Sequence, residues 1–251
     1  MMHVEQERTP WSTNAQFWVT IIRTKIDRYR TELTDRAVLD AAGNLANRDV
    51  LDVGCGEGYL VREVERRGAR VQGVDLCPEL VRAARDENDR LGLHAQFHEA
   101  DMRTLPLRDN SVDLVLANHS INEVPDPEAA IIEMARVLRP GGRAILLMLH
   151  PCFFGWAPAD DHQPGYRTRK GRKPYNVAGH KSPADATAYV ATLSDYTTSL
   201  TGAGFVIEAL TEPAPTHEQI AADPWWADKA EGSKFLLIAA RLEHRSSEQA
   251  P

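Results

Sequence analysis

A chain of 251 residues, 43% of them hydrophobic, is long enough for one large domain with a full core. Its net charge of −7 argues against general affinity for nucleic acid or an anionic membrane surface, and no apolar run approaches the ~20 residues of a membrane span. Cys55, Cys77 and Cys152 are few, widely spaced and without a CxxC pair, so neither a disulfide framework nor a zinc site is indicated. With a polar, mixed-charge N-terminus, these features predict a cytoplasmic protein with no nucleic-acid or membrane partner; composition is silent on acceptor and oligomeric state, for which a small-molecule substrate and a monomer or homodimer are the expectations.

In chain order, residues 14–46 predict one or two helices, with Trp18, Ile21, Ile22, Ile26 and Tyr29 at spacings near three and four. RDVLDVGCGEG reads as a strand and a glycine turn, and YLVREVERRG as a helix stopped by Gly68. ARVQGVDLCP is a second strand, followed by a helix opening near Pro78. AQFHEADM is a third strand and SVDLVLANHS a fourth. PEAAIIEMARVLRPGG predicts a helix ending at Pro140 and Gly141, and RAILLMLHP a fifth strand. Strands alternating with helices imply a parallel sheet covered on both faces, an α/β fold. Residues 151–188, rich in Gly, Pro, aromatics and charge, predict a long irregular lid. LSDYTTSLTGAGF then reads as a helix capped by Ser194, and FVIEALTEP and FLLIAARLE as two antiparallel strands.

The three glycines at alternate positions, Gly54, Gly56 and Gly58, end a buried strand, where they signal a tight turn or a backbone that something approaches closely. In an open α/β sheet the first strand's turn faces the ligand, and the following helix offers free N–H groups to an anionic moiety. Asp75, 21 residues beyond Gly54, ends the second strand, where a carboxylate can accept both hydroxyls of a ribose. A nucleoside-containing cofactor follows. An acid about 20 residues beyond a glycine turn also marks dinucleotide sites, but here the run is G-x-G-x-G rather than G-x-G-x-x-G.

VLDVGCGEG, VQGVDLCPELVRAAR, ADMRTLP and SVDLVLANHSINEVPDPEAAIIEMARVLRPGG, in that order, resemble the class I S-adenosylmethionine-dependent methyltransferases, over about 48–150 and again over 190–242. WSTNAQFWVT and HPCF are similar to the UbiE-like small-molecule methyltransferases. The resemblance implies a Rossmann-like sheet of seven mostly parallel strands with the last antiparallel, helices on both faces, and S-adenosylmethionine as cofactor. On that basis the chain is one domain, with a helical cap over 1–46, a cofactor half over 47–150, a lid or substrate insertion over 151–190 and closing elements over 191–243. The cofactor set it implies is Asp52, Gly54, Cys55, Gly56, Asp75, Leu76, Asp101, Met102 and Asn118. Gly54 and Gly56 would approach the methionine portion, Asp75 would hold the ribose, Asp101 and Met102 would contact the adenine, and Asn118 would lie beside the methionine. A loop-capping carboxylate is the alternative for Asp101.

Methyl transfer from a sulfonium needs in-line positioning, and a base where a phenol or alcohol must lose its proton. His119 and His150 each follow a predicted central strand, so both are candidate bases, and the resemblance does not choose between them. His94 and His98 flank a strand, where their spacing does not converge on a metal. Trp11, Trp18, Tyr29, Tyr175, Trp225 and Trp226, with Phe153, Phe154, Trp156 and Tyr166, suit a pocket for an organic acceptor. RTRKGRK at 167–173 reads as a solvated flexible loop, with a site for an acidic acceptor or for RNA phosphates as the alternatives. The expected activity is methylation of a small organic acceptor at oxygen, with nitrogen or carbon next. An NAD-dependent oxidoreductase and a non-catalytic cofactor-binding protein are the rivals.

Overall fold

The computed structural model describes residues 2–152, 169–229 and 233–243. In chain order its strands are β1 (Asp49–Val53), β2 (Arg70–Asp75), β3 (Gln96–Glu99), β4 (Val112–Asn118), β5 (Leu138–Leu149), β6 (Arg169–Val177), β7 (His180–Val190), β8 (Phe205–Thr211) and β9 (Phe235–Leu242). The helices are α1 (Met2–Arg23), α2 (Asp35–Ala42), α3 (Tyr59–Arg66), α4 (Pro78–Arg90), α5 (Pro127–Val137), α6 (Leu193–Gly202) and α7 (His217–Ala222). Seven strands make one sheet in the order β3-β2-β1-β4-β5-β9-β8. β1 to β5 are parallel, and β9 lies antiparallel between β5 and β8. This is the expected Rossmann-like architecture. No described helix is long and apolar enough to cross a membrane.

The apolar strands alternate between two cores. Leu51, Val115, Leu146 and Ile238 face α5 and α6, where Ile131, Met134, Tyr196 and Leu200 cover them. Their neighbours Val50, Leu114, Ile145 and Leu237 face the other way, onto Val38, Leu60, Val64 and Val81 of α2, α3 and α4. A strand buried on both faces reads as a continuous apolar run, because both side-chain parities meet helices. Strand order reverses between β1 and β4, which opens a crevice at their carboxyl ends.

Four local expectations change. The N-terminal helix starts at Met2 rather than near residue 14. Its first half lacks a continuous apolar stripe and is held by polar contacts instead: Arg8 to Glu99 at 2.8 Å, Glu7 to Arg103 at 2.7 Å and Ser12 to Glu79 at 2.7 Å. Helix α5 ends at Val137 rather than at Pro140–Gly141, because Leu138 already pairs with Val112 across the sheet. The cap of α6 is Thr192, in a reciprocal box with Asp195, not Ser194.

The fourth change concerns the expected irregular lid. Residues 169–190 form an antiparallel hairpin, β6 with β7, closed by a two-residue turn at Ala178 and Gly179 with φ of +50° and +86°. Pro174 and Pro183 argue against strands, and the buried positions of β7 are the small Ser182, Ala186 and Ala188, so no large alternating pattern marks it. The hairpin docks on α1 through a reciprocal amide pair. Asn14 Nδ2 donates to the Ala184 carbonyl at 2.9 Å, and the Ala184 N–H donates to Asn14 Oδ1 at 2.8 Å.

Candidate active site

A cavity of about 720 Å³ opens at the carboxyl ends of β1, β2 and β4 and is roofed by α1 and the hairpin. All nine residues expected at the cofactor line it or its immediate wall: Asp52, Gly54, Cys55, Gly56, Asp75 and Leu76 from the first two strand ends, then Asp101, Met102 and Asn118. The glycine turn that ends β1 has left-handed backbone at Gly54, φ +72°, and Gly56, φ +55°. The two serve different ends. A Cβ on Gly54 would fall 2.3 Å from Ser120 Cβ, so there the close approach is by the chain itself; a Cβ on Gly56 would meet nothing within 4 Å. Of these two glycines, Gly56 is the one that leaves open space.

Asp75 shapes that turn. Its Oδ2 accepts from the Gly56 N–H at 2.7 Å and its Oδ1 from the Cys77 N–H at 2.9 Å, leaving lone pairs on both oxygens. Burial raises the Asp75 carboxyl, against these two amides. Asp52 is buried at the end of β1, and burial followed by the charge of Asp75 pushes it up to about 7. Burial also drives the Cys55 thiol well above its ordinary value. Asp101 is a loop-capping carboxylate at the edge of the cavity. It lines the cavity, yet its Oδ1 caps the loop through the Arg103 N–H at 2.9 Å, and its carboxylate grips the Arg103 guanidinium at 2.6 Å. Burial alone would raise Asp101, but the Arg103 hydrogen bonds bring it below the usual range.

The floor beyond β4 carries a network that the sequence did not single out. Arg30 Nη1 donates to Tyr59 Oη at 2.9 Å, Tyr59 Oη donates to Asp35 Oδ1 at 2.7 Å, and Asn118 Nδ2 reaches Tyr59 Oη at 2.8 Å and Asp35 Oδ1 at 3.1 Å. In and beside it, three buried atoms have no hydrogen-bond partner among the described residues: Arg30 Nε, which lies 3.7 Å from Asp27 Oδ2, Asp52 Oδ1 and Asn118 Oδ1. One free donor on a guanidinium and two free acceptors match a zwitterionic amino-acid head, carboxylate to Arg30 and ammonium to Asp52 and Asn118. The residues present therefore fit the methionine portion of S-adenosylmethionine. Two more unpartnered buried atoms, Trp18 Nε1 and Glu123 Oε2, also belong to residues of the cavity wall.

The two candidate histidines separate. His119, at φ +58°, lines the cavity; its Nε2 lies 3.0 Å from Thr34 Oγ1 and its ring stands edge-on to Phe235. Burial and then the positive Arg30 hold it well below the usual histidine range, so it is neutral. His150 is buried outside the cavity wall. Its Nδ1 accepts from the Cys152 N–H at 3.1 Å, and its Nε2 meets Glu212 Oε1 at 2.8 Å. Trp11, Trp18, Tyr29, Tyr175 and Trp225 line the cavity, whereas Trp226 packs behind it with Leu33 and Phe235. Phe153, Phe154, Trp156, Tyr166 and positions 167–168 of the basic run lie outside the described residues; 169–173 fall in β6.

Residues 51–146 match a family model described as a methyltransferase domain. A ubiquinone biosynthesis O-methyltransferase of Xanthomonas oryzae pv. oryzae is 38% identical over 108 residues, covering 43% of this chain and 45% of that protein. A demethylmenaquinone methyltransferase of Thermus thermophilus is 36% identical over 118 residues, covering 46% and 54%. The chain thus spans about half the length of the curated relatives it matches. The crystal structure of an S-adenosylmethionine-dependent methyltransferase from Mesorhizobium loti superposes with a TM-score of 0.65 at 27% identity, over 82% of this chain and 95% of that one. In fold, in the placing of the site and in the sequence of residues 51–146, the chain is similar to class I S-adenosylmethionine-dependent methyltransferases. The likeness extends to the UbiE-like small-molecule group, and the cofactor it indicates is S-adenosylmethionine.

Proposed function

We propose that this protein transfers the methyl group of S-adenosylmethionine to an oxygen of a small organic acceptor. The observation that carries the reading is the cavity's set of unsatisfied groups: one donor and two acceptors at Arg30, Asp52 and Asn118, complementary in charge to an amino-acid head, and a separate pair, Trp18 and Glu123, among aromatic side chains. The first set suits the cofactor and the second an organic acceptor. Bound there, S-adenosylmethionine supplies an electrophilic methyl on a sulfonium. Asp75 offers its free lone pairs to the ribose, and Met102 and Leu76 give an apolar wall for the adenine. Helix α1 and the hairpin exclude water from the acceptor side. Relatives named ubiquinone biosynthesis O-methyltransferase and demethylmenaquinone methyltransferase support a small-molecule acceptor. Oxygen is preferred because a carboxyl group able to take a proton, Glu123, stands in the cavity wall.

The test is calorimetric titration with S-adenosylmethionine and, in parallel, NAD and NADP, followed by a methylation screen read by product mass and fragmentation. Binding of S-adenosylmethionine with an O-methyl product upholds the reading. An N- or C-methyl product corrects the atom. Binding of NAD alone, or tight cofactor binding with no product from any acceptor, overturns it.

A further inference from the structure

Glu123 sits on the short turn Ile121–Glu123 that follows β4, and it was not among the candidates from sequence. One carboxyl oxygen, Oε1, is held by Tyr175 Oη and Asn122 Nδ2, both at 2.8 Å. The other, Oε2, is buried and has no hydrogen-bond partner among the described residues, on a residue that lines the cavity. Tyr175 reaches it from the hairpin, and the Tyr175 ring lies edge-on to Trp18 with centroids 4.8 Å apart. Trp18 Nε1 is itself a buried donor without a partner. A buried polar atom left unpaired is costly, so one free acceptor and one free donor among aromatic rings call for a ligand that completes both.

We infer that this corner is the acceptor subsite, that it takes a neutral aromatic hydroxyl compound, and that Glu123 Oε2 removes the hydroxyl proton during methyl transfer. The inference rests on the activity proposed above. The acceptor's O–H bond breaks and its proton passes to Oε2. The freed electron pair forms the O–CH3 bond, and the pair of the breaking S–CH3 bond stays on sulfur as a thioether. The carboxylate's negative charge and the sulfonium's positive charge vanish together, which an apolar cavity favours. His119 as base would have to become a cation, and burial and Arg30 both oppose that.

The electrostatics agree with the geometry. Burial raises the Glu123 carboxyl to about 8, against the hydrogen bonds from Tyr175 and Asn122 that lower it. The titratable groups facing it are Tyr175 from β6 and Tyr196 from α6, and no cation pairs with it among the described residues. A base in that range is far better matched to a phenol than an ordinary carboxylate.

The experiment has two arms on the full chain, wild type and Glu123→Gln, after calorimetry has shown S-adenosylmethionine binding; failure there would count against the activity proposal and not against this one. In the first arm, infrared spectra of the ligand-free protein are titrated with pH. A protonated-carboxyl band with a midpoint near 8, absent from the variant, is expected; a midpoint at the ordinary 4.5 overturns the inference. In the second, both proteins receive S-adenosylmethionine with a panel of phenols and catechols and, separately, benzylamine. The expected result is O-methyl product whose kcat/KM rises with pH toward about 8 in wild type. That limb should vanish in Glu123→Gln, with a loss of about 100-fold or more, while cofactor affinity is kept. Unimpaired turnover by the variant, no turnover of any phenol by wild type, or transfer only to the amine would overturn it. Tyr175→Phe keeps the carboxyl but removes a hydrogen bond that favours its charged form, so the infrared midpoint should move upward. That readout stands even where Glu123→Gln does not fold, and an unmoved midpoint counts against the inference.

Discussion

Replacing Gly54 by Ala tests what the glycine turn is for. Two costs add. The residue sits at φ +72°, which is unfavourable for an L side chain by about 1–2 kcal/mol. Its new methyl would also lie 2.3 Å from Ser120 Cβ and 3.0 Å from Ser120 Oγ, whereas carbon atoms in contact prefer about 3.5–4.0 Å. Ser120 cannot step aside freely, since its hydroxyl donates to the Val53 carbonyl at 2.6 Å. Relieving the overlap adds about 1–3 kcal/mol. Gly56→Ala carries the first cost alone, because nothing lies within 4 Å of its methyl. Urea unfolding should therefore show a loss of about 1–2 kcal/mol for Gly56→Ala and about 2–5 kcal/mol for Gly54→Ala, the second always the larger. In a chain of this size each kcal/mol lowers Tm by about 2–4 °C. Adding Ser120→Gly should return most of the excess in Gly54→Ala and do little for Gly56→Ala. Equal losses in the two alanine variants, or no recovery in the double variant, would refute the reasoning.

Further expectations concern the ligand and pH. Asp75→Asn keeps the size of the side chain but weakens acceptance from two amides and two ribose hydroxyls; calorimetry should show at least about 10-fold weaker S-adenosylmethionine binding. Unchanged affinity would remove Asp75 from the site. Arg30→Met removes the free guanidinium donor, so S-adenosylmethionine should bind more weakly while adenosine, which lacks the amino-acid head, should bind as before; equal losses would point to collapse of the network instead. Glu123 and Asp52 have folded values raised to about 8 and about 7, above 4.5 and 3.8. Between those limits the native state holds protons that the unfolded chain has released. Their contribution is therefore present at the acidic end and lost as pH rises through 7 to 8. Urea midpoints should fall by the equivalent of a few kcal/mol from about pH 5.5 to 8.5, and by less in Glu123→Gln. A flat profile in wild type would show that these carboxyls are not desolvated.

The cofactor half was legible because its determinants are local. The apolar runs of β1, β4 and β5 are continuous, since both faces are covered, and the turn at 54–58 and Asp75 each lie directly at a strand end. There, position along the chain fixes position in the crevice. Arg30 and Asp35 were not legible, because their significance comes from Tyr59 and Asn118, which reach them only in the folded sheet. The hairpin escaped notice since its buried face is built from alanine and serine.

The two histidines show where the strand-end rule stops. Both follow a central strand by one residue. His119 leaves β4 in the left-handed region and turns into the cavity. Both backbones still bond to the next strand, the His119 N–H to the Leu147 carbonyl of the parallel β5 and the His150 N–H to the Lys234 carbonyl beside the antiparallel β9, each at 2.8 Å, but the His150 ring is pinned outside by Glu212 and Cys152. The partner strand's direction and a single backbone angle decide the outcome, and neither is written in the residue type. Glu123 shows the converse. It lies four residues beyond His119, within the stretch a crevice argument would search, but its properties come from Tyr175, 52 residues away in the hairpin, and from burial that completes only when the hairpin docks on α1. A carboxylate that reads as an ordinary turn residue in sequence thus becomes, through desolvation, the group best matched to an acidic hydroxyl.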